Sequence, residues 1–118
     1  MKDKVYICGP MSGYPEGNYP AFDEVKDRAI KFGFEVVSPV DLNRMDNMPV
    51  PDENANPLSE ATFHFIVKRD LNAVMGCKGL ILLPQWCYSK GALTEYYLAR
   101  WLGLKFYRSI DFSIVEMW

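Results

Sequence analysis

The stretch GLILLPQWCYSKGALTEYYLARWLGLKFYRS, residues 79–109, contains a strand, a helix and a second strand in sequence. Its first part, 79–84, is a continuous apolar run between Gly and Pro, which is typical of a strand buried on both faces. An amphipathic helix is predicted over 90–102, ended by Gly103, and a further strand over 104–109. Two strands joined by a crossover helix favour a parallel sheet.

The rest of the chain continues this alternation. Strands are predicted over 4–8 and 34–39, with a fifth short strand or a tail at 112–118, and helices over 19–33 and 59–76. The helix over 59–76 is expected to begin at Ser59 or a neighbouring residue. The helix over 19–33 is expected to be capped by Asn18. We therefore predict a single domain over the whole chain, a small Rossmann-like, flavodoxin-like α/β sandwich with four or five mostly parallel strands flanked by helices.

Three predicted loops follow strands and meet at one edge of this sheet. They are residues 9–17, 40–58 and 84–90. Ligands of open α/β sheets bind at the carboxyl ends of the strands, so these loops are expected to border the functional site. The second is the longest irregular stretch and is rich in proline; such a loop in a small domain is either functional or mobile.

The composition excludes several classes of protein. With a net charge of −2 and no run of Lys or Arg, the chain is not expected to bind a nucleic-acid polymer. It has neither the apolar run of about 20 residues that a membrane span needs nor a signal-peptide core, so we expect a cytoplasmic protein that binds no membrane. Cys8, Cys77 and Cys87 are widely spaced and His64 stands alone, so we expect no metal and no cofactor.

Two carboxylates are predicted on the apolar faces of helices. Glu95 lies three residues before Leu98, and Asp70 lies three residues after Val67. A helix-edge acid that reaches solvent would explain either one alone, but both helices flank the same predicted strand, which favours a shared pocket. Because an unpaired buried carboxylate is costly, such groups have partners or a function. Two facing carboxylates without metal ligands indicate glycosidic-bond chemistry, with one as nucleophile and the other as acid.

Other residues near this edge have two interpretations each. The loop CGPMSGYPEG at 8–17 offers Ser12 and backbone N–H groups to a phosphate, but its spacing matches neither GxGxxG nor a P-loop, and a tight turn accounts for it equally well. Tyr6 in the first strand needs a partner for its hydroxyl, and Glu95 is a candidate. Trp86 either stacks on a base or covers an edge of the core.

Three segments carry a family resemblance that covers nearly the whole chain. VYICGPMSGYPEGNYPAF, KRDLNAV and ILLPQWCYSKGALTEYYLARWLGL resemble the nucleoside 2-deoxyribosyltransferase-like proteins, in particular a small branch with a YICGPMSG start that occurs in phages and bacteria. The chain also looks like the deoxynucleoside 5′-monophosphate N-glycosidases, which begin with a similar strand and loop.

The resemblance implies roles for individual residues. Glu95 falls at the position of the nucleophile, Asp70 at that of the acid that assists departure of the base, and Tyr6 at that of the tyrosine that orients the nucleophile. It further implies a small-molecule nucleotide or nucleoside as substrate and a homodimer or higher homo-oligomer, to which the tail at 115–118 is a candidate contributor. The residues expected to bind the substrate are Gly9, Met11, Ser12, Gly13, Trp86, Ser89 and Gly91.

The serine at position 89 bears on the substrate. The transferases have an aspartate there, whereas the monophosphate hydrolases have a serine that helps to bind phosphate, so Ser89 and Ser12 favour a nucleotide over a free nucleoside. Two departures concern charge: Lys78 stands where relatives commonly have an acidic residue, and the first loop lacks the arginine of the hydrolases. Lys90 or Arg69 is an alternative phosphate partner.

These observations predict an enzyme that cleaves the N-glycosidic bond of a 2′-deoxynucleoside 5′-monophosphate or a deoxynucleoside. A covalent glutamyl-deoxyribosyl intermediate would be resolved by water, as in a hydrolase, or by a second base, as in a deoxyribosyltransferase. The alternatives are a non-catalytic module that binds or senses a nucleotide, and a hydrolase of the ribosyl bond in a dinucleotide such as NAD.

Overall fold

The computed structural model describes residues 2–51 and 57–116. Five strands and four α-helices are present in these ranges, with two short 3₁₀ helices at Pro15–Asn18 and Trp86–Tyr88. The strands are β1 (Lys4–Cys8), β2 (Glu35–Val37), β3 (Gly79–Leu82), β4 (Lys105–Arg108) and β5 (Ile114–Val115). The helices are α1 (Tyr19–Phe32), α2 (Pro39–Met45), α3 (Glu60–Met75) and α4 (Lys90–Leu102).

The strands form one sheet in the order β2-β1-β3-β4-β5. The first four pair in parallel and β5 joins β4 antiparallel, which confirms the predicted α/β class with a mostly parallel sheet. The chain crosses from one side of β1 to the other between β2 and β3, so the strand order reverses between β1 and β3. In doubly wound sheets, the crevice that binds ligands opens at this reversal, at the carboxyl ends of the strands.

Two apolar layers cover the faces of the sheet. In one layer, α1 and Val40 of α2 pack on Val5 and Ile7 of β1. In the other, α3 and α4 pack on Tyr6 and Cys8, the alternate residues of the same strand. Because β1 is buried on both faces, its side chains divide between two cores, and only the α3–α4 core contains polar groups of β1.

Several sequence predictions are confirmed. The helix over 90–102 has the predicted bounds and ends at Gly103, which adopts a left-handed φ of 76°. β1 spans 4–8 as expected, and β3 is buried along its whole length, although it is shorter than the predicted 79–84. α3 begins after Ser59, whose side chain accepts a hydrogen bond from the N–H of Thr62 at 3.2 Å.

Two predictions are wrong. Residues 40–58 were expected to be irregular, but their first part belongs to α2, because Ser38 caps that helix by accepting from the N–H of Val40 and Pro39 occupies its first turn. Asn18 does not cap α1; it has a left-handed φ of 62°, and its side-chain amide donates to the carbonyl of Pro10 at 2.8 Å. Residues 52–56 of the predicted loop lie outside the described residues.

The C-terminal segment supplies a strand. Of the predicted strand or tail at 112–118, Ile114–Val115 form β5, while 117–118 lie outside the described residues together with that part of the proposed tail contribution. Within the described part of the chain, no helix combines the length and apolarity that a membrane crossing requires.

Candidate active site

A cavity of about 500 Å³ opens at the carboxyl ends of the strands, beside the loop that follows β1. Its walls come from the loop after β1, from α3 and from the first turns of α4. It brings together the three predicted catalytic residues, Tyr6, Asp70 and Glu95. It also contains five of the seven residues predicted to bind substrate: Gly9, Met11, Ser12, Ser89 and Gly91.

Glu95 is buried and bonded to Tyr6. Helical spacing places Glu95 on the same inward face of α4 as Ala92 and Ala99, and only 8% of the residue is exposed. The hydroxyl of Tyr6, itself fully buried, donates a hydrogen bond to Oε2 of Glu95 at 2.5 Å. One carboxylate oxygen is therefore fixed by β1, and the side chain borders the cavity.

The surroundings of Glu95 favour its neutral form. Burial raises the pKa of Glu95 to about 8, the negative charge of Asp70 adds to this, and the hydrogen bond from Tyr6 and the nearby Cys8 thiol oppose it. Burial, together with the charge of Glu95, also raises the pKa of Tyr6 well above its usual range. Tyr6 is thus a permanent hydrogen-bond donor, while Glu95 exchanges its proton close to physiological pH.

Cys8 is a further donor beside Glu95. Its thiol donates to the carbonyl of Ala92 at 3.3 Å, one turn before Glu95 on α4. Burial raises the pKa of the Cys8 thiol well above its usual range, with the Glu95 charge as the second cause. Cys8 is therefore a neutral buried thiol rather than a nucleophile.

Asp70 enters the cavity from α3 and is held by its neighbour. The guanidinium of Arg69 donates two hydrogen bonds to Oδ1 of Asp70, at 3.0 and 2.9 Å, and neither involves Oδ2. Burial raises the pKa of Asp70, and the hydrogen bonds and charge of Arg69 oppose that rise. Among the described residues, hydrogen bonds thus engage Oδ1 of Asp70 and leave Oδ2 available to a ligand.

Arg69 also reaches α2. It donates to Oδ2 of Asp46 at 3.1 Å and to Oδ1 of Asn43 at 2.6 Å, and its side chain is only 12% exposed. Arg69 was one of two alternatives for a phosphate partner, but its donors are directed at these side chains, and it is not among the residues that line the cavity. Lys90, the other alternative, does line it.

The start of α4 presents donors to the cavity. Ser89 caps the helix by accepting from the N–H of Ala92 at 3.2 Å, so its own hydroxyl proton is free to point elsewhere. Lys90 and Gly91 follow on the cavity wall. A Cβ added to Gly91 would meet nothing nearer than the Ser89 hydroxyl at 3.9 Å, so the protein itself does not require a glycine there.

Two predicted binding residues do not line the cavity. Trp86 packs on Tyr96 with ring centroids 4.7 Å apart, which is the core-covering alternative rather than a stacking platform in this cavity. Gly13 has a left-handed φ of 85° and serves the turn of the first loop. Gly9 does line the cavity. Packing also requires a glycine at this position, because a Cβ there would lie 2.7 Å from the side chain of Leu83.

Sequence reasoning missed other parts of the wall. Phe63 and Val67 precede Asp70 by seven and three residues on α3, and all three line the cavity. That helical spacing was visible in the sequence and predicts a common face with Asp70. Tyr14 and Pro39 also line the cavity, the latter because α2 begins directly after β2.

The described ranges, 2–51 and 57–116, contain no cluster of side chains that could bind a metal ion. No three His, Cys, Asp or Glu side chains there are grouped so that they could hold an ion. The polar groups that the cavity offers are carboxyls, hydroxyls, one ammonium group and backbone N–H groups.

A family model described as "Domain of unknown function (DUF4406)" matches residues 3–107. The chain belongs to this family. A comparison with curated proteins gives no match. The match runs from β1 into β4, of which it lacks only Arg108, and it includes every residue of the cavity described above.

Proposed function

We propose that this DUF4406 protein cleaves the N-glycosidic bond of a 2′-deoxynucleoside 5′-monophosphate or deoxynucleoside. The observation that carries the proposal is the buried Tyr6–Glu95 hydrogen bond in a cavity shared with Asp70. A carboxylate oriented by a tyrosine and a second carboxyl in the same cavity are the groups that displacement at an anomeric carbon needs. The resemblance to the nucleoside 2-deoxyribosyltransferase-like proteins assigns the same residues to the same roles.

In the first step, the Glu95 carboxylate attacks C1′ of the sugar. The C1′–N bond breaks, its electron pair remains on the base nitrogen, and the base takes a proton from Asp70. The product is a deoxyribosyl ester of Glu95. Water, or the N–H of a second base, then attacks C1′, transfers its proton to Asp70 and releases the Glu95 carboxylate, which restores both groups.

These reaction steps require that Asp70 and Glu95 together carry one proton. With a pKa of about 8, raised in part by the charge of Asp70, Glu95 gives up the last proton of the pair. The reaction instead needs this proton on Asp70 when the bond breaks, so it must pass from Glu95 to Asp70, and the positive charge that develops on the sugar favours ionised Glu95. We expect a bell-shaped dependence of kcat/KM on pH, with the alkaline limb near the pKa of Glu95.

The donors at the start of α4 support a substrate that carries a phosphate. Lys90 and the hydroxyls of Ser12 and Ser89 border the same cavity as the carboxyls. The first turn of α4 adds the partial positive charge of a helix N-terminus. Gly91 leaves room for close approach of a ligand to this turn. For the base, the cavity offers the rings of Tyr14, Phe63 and Tyr88.

The decisive experiment measures release of free base from a panel of 2′-deoxynucleosides, their 5′-monophosphates and NAD, with and without a second base. Wild type is compared with Glu95→Gln, which keeps the shape of the side chain but cannot form the ester. Glu35→Gln, an exposed glutamate on β2, is the matched control. We expect release from monophosphates, loss of it in Glu95→Gln, and unchanged release in the control.

The outcomes separate the alternatives. Release in water identifies a hydrolase, and exchange that needs the second base identifies a transferase. Nucleotide binding without any release contradicts the proposal and favours a sensing module, and release only from NAD favours the dinucleotide hydrolase. Trapping of a deoxyribosyl ester on Glu95, detected by mass spectrometry of a slow substrate, would test the intermediate directly.

A further inference from the structure

We propose that Arg69 is a positioning residue that fixes Asp70 against α2 and determines where the carboxyl proton of the site resides. The inference rests on the proposed function, because it concerns the acid of that reaction. Its basis is a chain of contacts that the mechanism does not yet use, from Asp70 through Arg69 to Asp46 and Asn43.

The geometry around Arg69 leaves it little freedom. Its side chain is 12% exposed and donates to three different side chains, two of them on or just after α2. Asn43, which accepts from Arg69, is itself 4% exposed and donates to the hydroxyl of Tyr19 at 2.9 Å. A guanidinium held at both ends in this way orients Asp70 more strictly than a surface ion pair would.

The consequence for Asp70 is a defined orientation. Both bonds from Arg69 go to Oδ1, so the rotation of the carboxyl about its terminal bond is fixed and Oδ2 is the oxygen left for the base. Proton transfer in a transition state depends on such placement, and a displacement of about 1 Å costs up to about 100-fold in rate. Arg69 acts here without touching the substrate.

The charge of Arg69 has a second effect. The charged or titratable groups that face Asp70 are Arg69 on α3, Asp46 after α2, Glu95 on α4 and Tyr6 on β1. Arg69 is the cation among them, and it lowers the pKa of Asp70 against the effect of burial. Without it, both protonation steps of the Asp70–Glu95 pair should move to higher pH, because the forms with one and two negative charges lose their counter-ion.

The test compares Arg69→Met, which removes charge and donors, with Arg69→Lys, which keeps the charge but cannot bond in a fork. Arg44→Met is the matched control, because Arg44 pairs with Asp23 on the protein surface and lies on α2, the helix that Arg69 contacts. We expect kcat to fall by about 10- to 100-fold in Arg69→Met, with the pH profile displaced to higher pH. Arg69→Lys should restore the position of the profile but only part of kcat.

A second readout needs no substrate. Titration of ¹³C-labelled aspartate carboxyls by NMR, with Asp70 assigned through Asp70→Asn, should show a higher pKa for Asp70 in Arg69→Met and an unchanged one in Arg44→Met. If Arg69→Met lowers kcat without moving either the profile or the Asp70 titration, Arg69 is only structural and the inference is wrong. If wild type releases no base while the titration still moves, the proposed function fails and the effect of Arg69 on Asp70 stands.

Discussion

The two faces of β1 are equally buried and chemically opposite. Val5 and Ile7 on one face and Tyr6 and Cys8 on the other all have no solvent exposure. The first pair meets an apolar layer built on Phe22 of α1. The second pair meets α4, where a buried carboxylate accepts the hydrogen bond from Tyr6.

This difference distinguishes the residues that stabilise the fold from those that form the candidate site. Burial of apolar side chains in the α1 layer lowers the free energy of the native state in proportion to the area removed from water. Burial of a carboxyl in the α3–α4 layer does the reverse unless the group stays neutral or well bonded. Substitutions in the two layers should therefore affect different measurements, and each prediction below tests that separation.

After the loss of activity expected in Glu95→Gln, the largest effect is expected from Asp70→Asn in the α3–α4 layer. Removing the acid should slow base release by about 10²–10⁴-fold, because general acid catalysis contributes on that scale. The stability of the protein should change much less, since the amide can still accept a hydrogen bond from Arg69. Initial rates and urea unfolding of the same preparation measure both quantities.

Asp23→Asn in α1 is the control for this variant. Asp23 forms a surface ion pair with Arg44, and such pairs contribute little to stability. Its rate should equal that of wild type. Equal rates for Asp70→Asn and Asp23→Asn would remove Asp70 from the mechanism and with it the distinction between the layers.

The next effect concerns the α1 layer. Phe22 is fully buried in it, and Phe22→Ala should lower the free energy of unfolding by about 3–5 kcal/mol through lost transfer energy and the cavity left behind. The kcat of the folded fraction should not change. Phe65→Ala, at a half-exposed position on α3, should cost far less. A reduced kcat in Phe22→Ala at temperatures where it is fully folded would show that the layers are coupled.

The sequence predicted the parts of this arrangement that depend on local pattern. The bounds of α4, the buried β3 and the inward direction of Glu95 follow from periodicity and from a glycine that ends the helix. Tyr6 and Glu95 could be paired because a buried hydroxyl and a buried carboxylate each need a partner.

The parts that were missed depend on contacts distant in sequence. α2 has only seven residues and begins with proline, so its pattern is too short to distinguish from a loop. The bonds from Arg69 to Asn43 and Asp46 span 26 and 23 residues, and no local rule predicts them. The role of Trp86 could not be predicted, because an aromatic residue in a loop can face either a ligand or the core. Its contact with Tyr96, which places it on the core, exists only in the folded chain.

The smallest expected effect is a gain in stability when the Glu95 carboxyl is removed. It is also the most direct test of the difference between the α1 layer and the α3–α4 layer. In the unfolded chain a glutamate has a pKa near 4.3, whereas burial raises that of Glu95 to about 8 in the native state. Between these values the native state binds more protons than the unfolded state, so the stability of wild type falls as pH rises through this window. Above it, the full cost of ionising Glu95 is present.

Glu95→Gln removes this dependence, because glutamine does not titrate. The variant should gain roughly 2–4 kcal/mol over wild type between pH 5 and pH 8, measured as the change in the difference of urea-unfolding free energies. Other titrating groups are common to both proteins and cancel, and Glu35→Gln on the surface should show no such change. A constant difference at both pH values would mean that Glu95 is ionised in the native protein at pH 5. Burial of Glu95 would then not destabilise the α3–α4 layer, and the carboxylate would have to be stabilised by more than the single hydroxyl of Tyr6.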